Sequence, residues 1–300
     1  MNTTNPSSCG FTGDAENYGL GVRLGMYLQW IATFLATTLE LPTAPSIRTA
    51  NTTFQLANFA GLLLLTFHRP QVYAVEPLLI PSILFGAAWL FILIAINVEG
   101  SVDEAILRIL LYTTAVGYTT WYFWHGMDTM IQPSCGSFAY FFCKVNLFGF
   151  FRAVGKVFTV WASIAFALLW IFHVPDLFWA RFPVLNKVKK RVVPGRASFE
   201  DEEPLNQKDI FGGEFGTVLV TVLGLVVLIF MIIGAELVIV WNNIQGVYAL
   251  DSTGQFIPAF LGLVLLGTTL VEAIRGKREK DRRDEQERKK VGIVYKSKQS

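Results

Sequence analysis

The stretch Phe215–Trp241 reads FGTVLVTVLGLVVLIFMIIGAELVIVW, and Glu236 is its one ionisable side chain. A helix rises about 1.5 Å per residue and a bilayer's hydrocarbon core is about 30 Å thick, so about 20 such residues cross it. The apolar run is continuous. A barrel strand would alternate, and in lipid only helices and closed barrels satisfy the backbone. Phe215–Trp241 therefore predicts a membrane-spanning helix.

The same pattern recurs outward from it. Gln255–Ile274 follows as a further span, and Ala153–Phe172, Ala105–Trp124, Pro77–Val98 and Leu20–Leu39 precede. Phe54–Phe67 is the shortest apolar core, between a short span and an interfacial segment in length. Glu99–Glu104 is a tight polar connection, and Ser101-Val102-Asp103-Glu104 fits a helix-capping box. The expected fold class is all-α: a polytopic transmembrane bundle of seven spans, N-terminus outside and C-terminus cytosolic. Its parts are an extracytosolic tail over 1–17, a membrane domain over 18–274 and a charged cytosolic tail over 275–300. Within the membrane domain, loop 126–152 is expected outside and loop 173–214 in the cytosol. Composition agrees: 53% of the 300 residues are hydrophobic, 16% are charged and the mean hydropathy is +0.45. The opening residues lack a basic, apolar signal-peptide pattern, so insertion is expected to begin with the first span.

Orientation follows from the cations. With seven spans, 19 Lys and Arg fall on the cytosolic side, among them Arg48 in the first loop, and three fall outside. The weight lies in loop 173–214 and the tail, so the last three spans are oriented firmly. The first is oriented only if Phe54–Phe67 crosses; a six-span chain would have its N-terminus inside. Asn51 begins an Asn-x-Thr sequon on the cytosolic side, where it stays unglycosylated.

Arg23, Lys156 and Glu236 lie within spans at similar depth in the outer half. A charge in lipid is paired, functional or drawn to the interface. Arg23 and Lys156 have stems long enough to reach water. Glu236 does not, so it is expected to be buried beside Arg23 or Lys156. Lys144, Phe148, Arg152 and Lys156 recur every four residues, which predicts an amphipathic helix over Cys143–Phe158 at the outer interface. Its cations serve as an interfacial anchor or draw an anionic headgroup. His125 and Asp128 form a polar pair after Trp124, and His173 and Asp176 repeat the spacing on the other side, too far to share a metal. A zinc site needs three or four ligands, so no metal is expected. Gly19–Gly25 lacks the strand and the Lys-Ser/Thr ending of a phosphate loop. Gly21, Gly25, Ala32 and Ala36 instead predict a closely packed helix face.

Cys9 and Cys135 share the outer, oxidising side on long tethers, which predicts a bridge between them. Cys143 is expected free and packed against apolar neighbours. In the cytosolic loop, a basic block over Lys187–Arg191 is followed by Ser198 and Glu200–Glu203, the pattern of a phosphorylation-sensitive switch.

Cys9-Gly10, the string YGLGVRLGMYLQW over Tyr18–Trp30, Trp121–Trp124, Cys135, Phe141–Val145 and Gly149–Arg152 together resemble a family of multi-pass membrane proteins of filamentous fungi. The resemblance covers most of the membrane region and is strongest in the first span and the loop after Trp124. It implies a fungal origin and the same helical architecture, and it assigns no catalytic residue.

Three function classes compete. Seven spans and a basic cytosolic face suit receptor-like sensing or ligand and lipid binding. The embedded charges Arg23, Lys156 and Glu236 suit a channel or transporter. No nucleophile motif or histidine box supports an intramembrane enzyme. Binding or gating candidates are Glu236, Arg23, Lys156, Arg152, His125 and Asp128. The lipid bilayer is the first expected partner. A second copy, or a cytosolic protein docking on loop 173–214 and the tail, is the next. No cofactor and no nucleic acid are expected. The expected location is the plasma membrane or a secretory-pathway membrane.

Overall fold

The computed structural model describes residues 9–68, 71–79, 102–133, 135–172, 214–250 and 252–297. Residues 80–101, with most of the third expected span and Ser101, lie outside the described residues. So does 173–213, with His173, Asp176, the basic block and Ser198.

The chain is mostly helical. A short strand β1 (Phe11–Thr12) and a single turn α1 (Ala15–Tyr18) lead into α2 (Leu20–Thr38). Asp14 caps α1, its side chain accepting from Glu16 N at 3.0 Å. After α2 the chain turns at Glu40, φ +50°, and Leu41 N donates to Ala36 O at 2.9 Å. α3 (Ala44–His68) runs back antiparallel. Its 25 residues, about 37 Å at 1.5 Å each, extend well before the apolar core. α4 (Val102–Trp124) and α5 (Arg152–Phe172) form a hairpin, followed by α6 (Glu214–Trp241), strand β4 (Ile244–Gln245) and α7 (Thr253–Ser297). α7 carries straight through Ile274 into the charged tail, which is helical to Ser297.

Three described helical stretches are long and apolar enough to cross a membrane: Leu147–Phe172, Thr221–Trp241 and Thr253–Glu279. Only 6%, 33% and 17% of their apolar windows are buried within the protein, so most of that apolar surface faces outward, as lipid-facing helices require. The expected count of seven is not reached. α2, α3 and α4 are 19, 25 and 23 residues long but more polar. Several polar residues of α2 and α3 point inward: Arg23, Gln29, Thr33, Arg48, Asn51 and Gln55 are all buried. Arg48 and Asn51 therefore do not lie in a loop. Asn51, 2% exposed, faces Thr33 at 3.4 Å, which closes its sequon to modification by burial.

α2 packs most closely on α7, and the small residues explain how. A Cβ on Gly25 would lie 2.3 Å from Pro258 O, and one on Gly262 would lie 2.5 Å from Gly25 O. Ala32 and Ala36, both 0% exposed, continue the seam against Leu265, Leu266 and Ala273. The helix expected over Cys143–Phe158 is a correction. Strands β2 (Phe138–Phe141) and β3 (Cys143–Asn146) form an antiparallel hairpin turning at Phe142, φ +59°. Asn146 then caps the wide helical turn Leu147–Phe151, accepting from Phe148 N and Gly149 N. Aromatic residues favour strands, and Gly149 sits at φ −92°, ψ −109°, outside the helical region, so the four-residue cation spacing is not one helical stripe.

Candidate functional site

Every described connection at one end of the bundle is tied to the others. Cys9 and Cys135 form a disulfide, Cα to Cα 5.6 Å. β1 pairs in parallel with β4, Phe11 opposite Ile244, and Asn243 Nδ2 donates to Cys9 O. Asn242 joins this unit to the hairpin: its Oδ1 accepts from Phe138 N at 2.9 Å and its Nδ2 donates to Phe138 O at 2.8 Å. That is the pairing a backbone strand would supply. Residues 71–79 are held from the other flank. Ile131 N donates to Val72 O at 2.9 Å, Ala74 N donates to Ile131 O at 3.1 Å, and Tyr122 OH donates to Ala74 O at 2.6 Å. Tyr18 OH donates to Glu76 Oε1 at 2.7 Å, and Tyr73 N donates to Glu76 Oε2 at 3.1 Å. Burial and the neighbouring Glu76 carboxylate push the Tyr18 phenol well up. Together these segments form a cap over the start of α2 and the end of α6.

Arg23 lies directly beneath, 0% exposed. Its Nε donates to Glu236 Oε1 at 2.8 Å and its NH2 nitrogen to Oε2 at 3.4 Å. Its NH1 nitrogen donates to Tyr18 O at 2.7 Å and to Val247 O at 3.3 Å. Tyr27 OH completes the cluster, donating to Glu236 Oε1 at 2.9 Å. The Tyr248 ring centroid lies 5.5 Å from the guanidinium carbon. Arg23 thus bonds α1, α6 and the loop before α7 at once. The expected Arg23–Glu236 pairing is present, with one correction. The Glu236 side chain is 37% exposed, so its carboxylate is half-buried and open on one side.

The other sequence candidates lie elsewhere. Lys156 is not in this cluster; its Nζ sits 5.0 Å from the centroid of the Trp124 ring. Arg152 donates to both oxygens of Asp128, at 2.6 and 2.7 Å, and to the last carbonyls of α4, Phe123 O at 2.9 Å and Trp124 O at 3.2 Å. A cation on a helix's orphan carbonyls complements its dipole. The guanidinium hydrogen bonds hold the exposed Asp128 carboxyl below its usual value. His125 is exposed beside this pair. Lys144 is on β3, 3.9 Å above the Phe138 ring. Cys143 is free, as expected, but exposed rather than packed, because it lies on a strand. Among the described residues no three His, Cys, Asp or Glu side chains are grouped to hold a metal.

Sequence inspection missed Glu76, Asn242 and the polar face of α3. A lone acid amid Tyr73–Leu79 was a legible signal for Glu76. The spacing of Arg48, Asn51 and Gln55 was one for α3. Nothing local marks Asn242, whose partner is 104 residues away.

No protein-family model matches this chain, and no curated protein or solved structure matches it.

Proposed function

We propose that the chain is a seven-span membrane protein, cap outside and tail in the cytosol, that binds a ligand or lipid at the cap and acts as a receptor-like sensor. The observation that carries this is the cap itself, a cross-linked platform bonded through Arg23 to α2, α6 and the approach to α7. A ligand that moves the cap moves three helix ends together. The half-open Glu236 carboxylate, with Tyr27 and Tyr248 beside it, offers such a ligand a polar contact.

Two independent features support the orientation. Disulfides persist in oxidising compartments, which suits a cap outside. The cation-rich loop 173–214 and tail join α5, α6 and α7 at their other ends, which suits the cytosol. Between Leu79 in the cap and Val102 at the start of α4, the apolar sequence run Pro77–Val98 supports the remaining span. The exposed Arg275, Lys277, Arg278 and Arg282 on α7 beyond Ile274 offer a cytosolic partner a basic surface. The channel alternative has less support: Arg23 and Glu236 neutralise each other, Arg23 is consumed by structural bonds, and Lys156 stands apart.

The test is reconstitution with a topology readout. Reporters before Met1 and after Ser300 are expected to read outside and cytosolic, respectively. Proteoliposomes are expected to show no ion flux above empty vesicles. A flux abolished by Glu236→Gln would move the chain to the channel class, and a cytosolic N-terminus would remove the seven-span arrangement.

A further inference from the structure

Thr114, Gly117, Tyr118, Trp121, Trp124 and His125 recur at three- and four-residue spacing and share one face of α4. Two apolar grooves flank that face. The larger, about 580 Å³, lies against α5 between Gly117, Trp121, Val160 and Ile164. The smaller, about 290 Å³, lies against α3 between Phe59, Leu63, Phe67 and Tyr118. Trp121 lines both and forms the ridge between them, its ring 5.2 Å from that of Phe67. Both grooves open sideways: Ile164 is 51% exposed and Phe67 60%. Gly117 is part of the wall, and a Cβ there would meet nothing within 4 Å.

Toward the cap the larger groove changes character. Thr120 and Ser163 bring their hydroxyls within 3.4 Å of each other, one helical turn below Trp124. At the mouth stand Trp124, the exposed His125 and the Lys156 ammonium over the Trp124 ring. Asp128 is close by, but both its oxygens are taken by Arg152. Among the described residues no carboxylate forms an ion pair with Lys156. His68, also exposed, ends α3 beyond the smaller groove.

We propose that this flank binds one diacyl phospholipid with an anionic headgroup. The two tails straddle Trp121, the ester region faces the Thr120–Ser163 hydroxyls, and the phosphate meets Lys156, His125 and the Trp124 indole. Charge complementarity selects the headgroup: at the mouth the cations Lys156 and Arg152 outnumber Asp128, whose oxygens are held by Arg152, and among the described residues Lys156 forms no ion pair of its own. The paired grooves select two chains; a fatty acid or lysolipid would fill only one. Close contact between tail and groove wall, rather than escape from water, favours this position over bulk lipid. The site is separate from the Arg23–Glu236 cluster and does not depend on which way the cap faces.

The experiment is native mass spectrometry of the purified full chain in detergent, titrated with dioleoyl phosphatidylglycerol and dioleoyl phosphatidylcholine. One phosphatidylglycerol is expected to be retained, about fivefold tighter than phosphatidylcholine, the ratio that about 1 kcal/mol per basic residue at an anionic surface gives. Lys156→Gln is expected to remove that preference while retaining tail binding. Gly117→Leu and Val160→Trp, which fill the larger groove from opposite walls, are each expected to weaken both lipids roughly tenfold, about 1.4 kcal/mol. Folding of each variant is read from an intact Cys9–Cys135 bridge and monodisperse elution. The proposal fails if folded groove variants bind as wild type does, which would mark an unspecific lipid annulus. It also fails if a one-chain lysophosphatidylglycerol binds as tightly as the diacyl lipid, or if glycerol 3-phosphate displaces it at equal concentration. None of these outcomes bears on ion flux or topology, so the sensing proposal stands or falls separately.

Discussion

α2 and α5 are nearly the same length and are built on opposite plans. Twelve of the 19 residues of α2 are buried, among them Arg23, Gln29 and Thr33. Two of the 21 residues of α5 are buried, Gly155 and Thr159. α2 can carry a charge and amides because protein surrounds them and supplies hydrogen bonds; α5 is apolar on nearly every side because lipid is the neighbour that its exposed side chains suit. α2 is held by specific ties: the Arg23 cluster, the cap above it and the glycine seam with α7. Among the described helices, α5 is held along one face by α4, through Arg152 on the end of α4, Gly155 against Phe123, the Thr120–Ser163 hydroxyls and the Trp170 indole on Thr113. Damage to α2 should therefore be costly and specific, whereas changes on the open faces of α5 should be nearly silent.

The largest effect is expected from Glu236→Ala. It leaves the Arg23 guanidinium buried without its carboxylate, a loss of about 3.5 kcal/mol, toward the low end for a buried pair because Glu236 is open on one side. Thermal unfolding of the purified protein measures it, and a loss below about 1 kcal/mol would mean that α2 is no more tied than a surface helix. Cys9→Ser comes next. The bridge spans a sequence separation of 126 residues. Its loss is expected to cost about 3 kcal/mol, less than the about 4.9 kcal/mol of a free chain, because inserted helices already restrain the ends. Reductant should lower the wild-type melting temperature to that of the variant.

Gly25→Val is expected to cost about 2 kcal/mol, because the new side chain meets the Pro258 carbonyl and the seam must open. Val157→Ala on α5, where Val157 is 61% exposed, should change stability by less than about 0.5 kcal/mol. Parity between these two variants would erase the contrast between the helices. The smallest effect is a pH dependence at the cap. Arg152 depresses the Asp128 pKa in the folded protein, so the pair's contribution is present above the ordinary carboxyl value of 3.8. It is lost as pH falls through the folded value. Wild type should lose its small advantage in melting temperature over Asp128→Asn between about pH 5 and pH 2. A difference that persists at the acid end would mean the two side chains do not pair in solution.

Several helix limits were legible in the sequence because they follow from local composition, although α3 begins at Ala44, before the apolar core, and α7 runs past Ile274 to Ser297. Leu20, Trp124, Phe172 and Trp241 all stand within a residue or two of the expected span ends, where apolar runs meet polar residues or glycine. Gly25 announced a closely packed face through its spacing with Gly21, Ala32 and Ala36, though not that α7 would fill it, and the expectation that Cys9 and Cys135 share one side of the membrane announced their bridge. The hairpin at Phe138–Asn146 was misread because cation spacing suggests a helix unless Asn146 and Gly149 are known to break it. Cation spacing on paper also could not show that Lys156 would leave Glu236 for the Trp124 ring.

What the sequence determined by itself is an apolar, helical chain with charge concentrated in 173–214 and the C-terminal tail and a few polar residues that must find partners. Only the tertiary structure decided which partners they found. Arg23 lies 213 residues from Glu236 and 224 from Val247, and Asn242 lies 104 from Phe138. A hydrophobic run selects its environment one segment at a time, because burial in lipid depends on the segment's own surface. A hydrogen bond between distant residues depends on where every intervening helix packs, so it becomes visible only when the bundle is assembled.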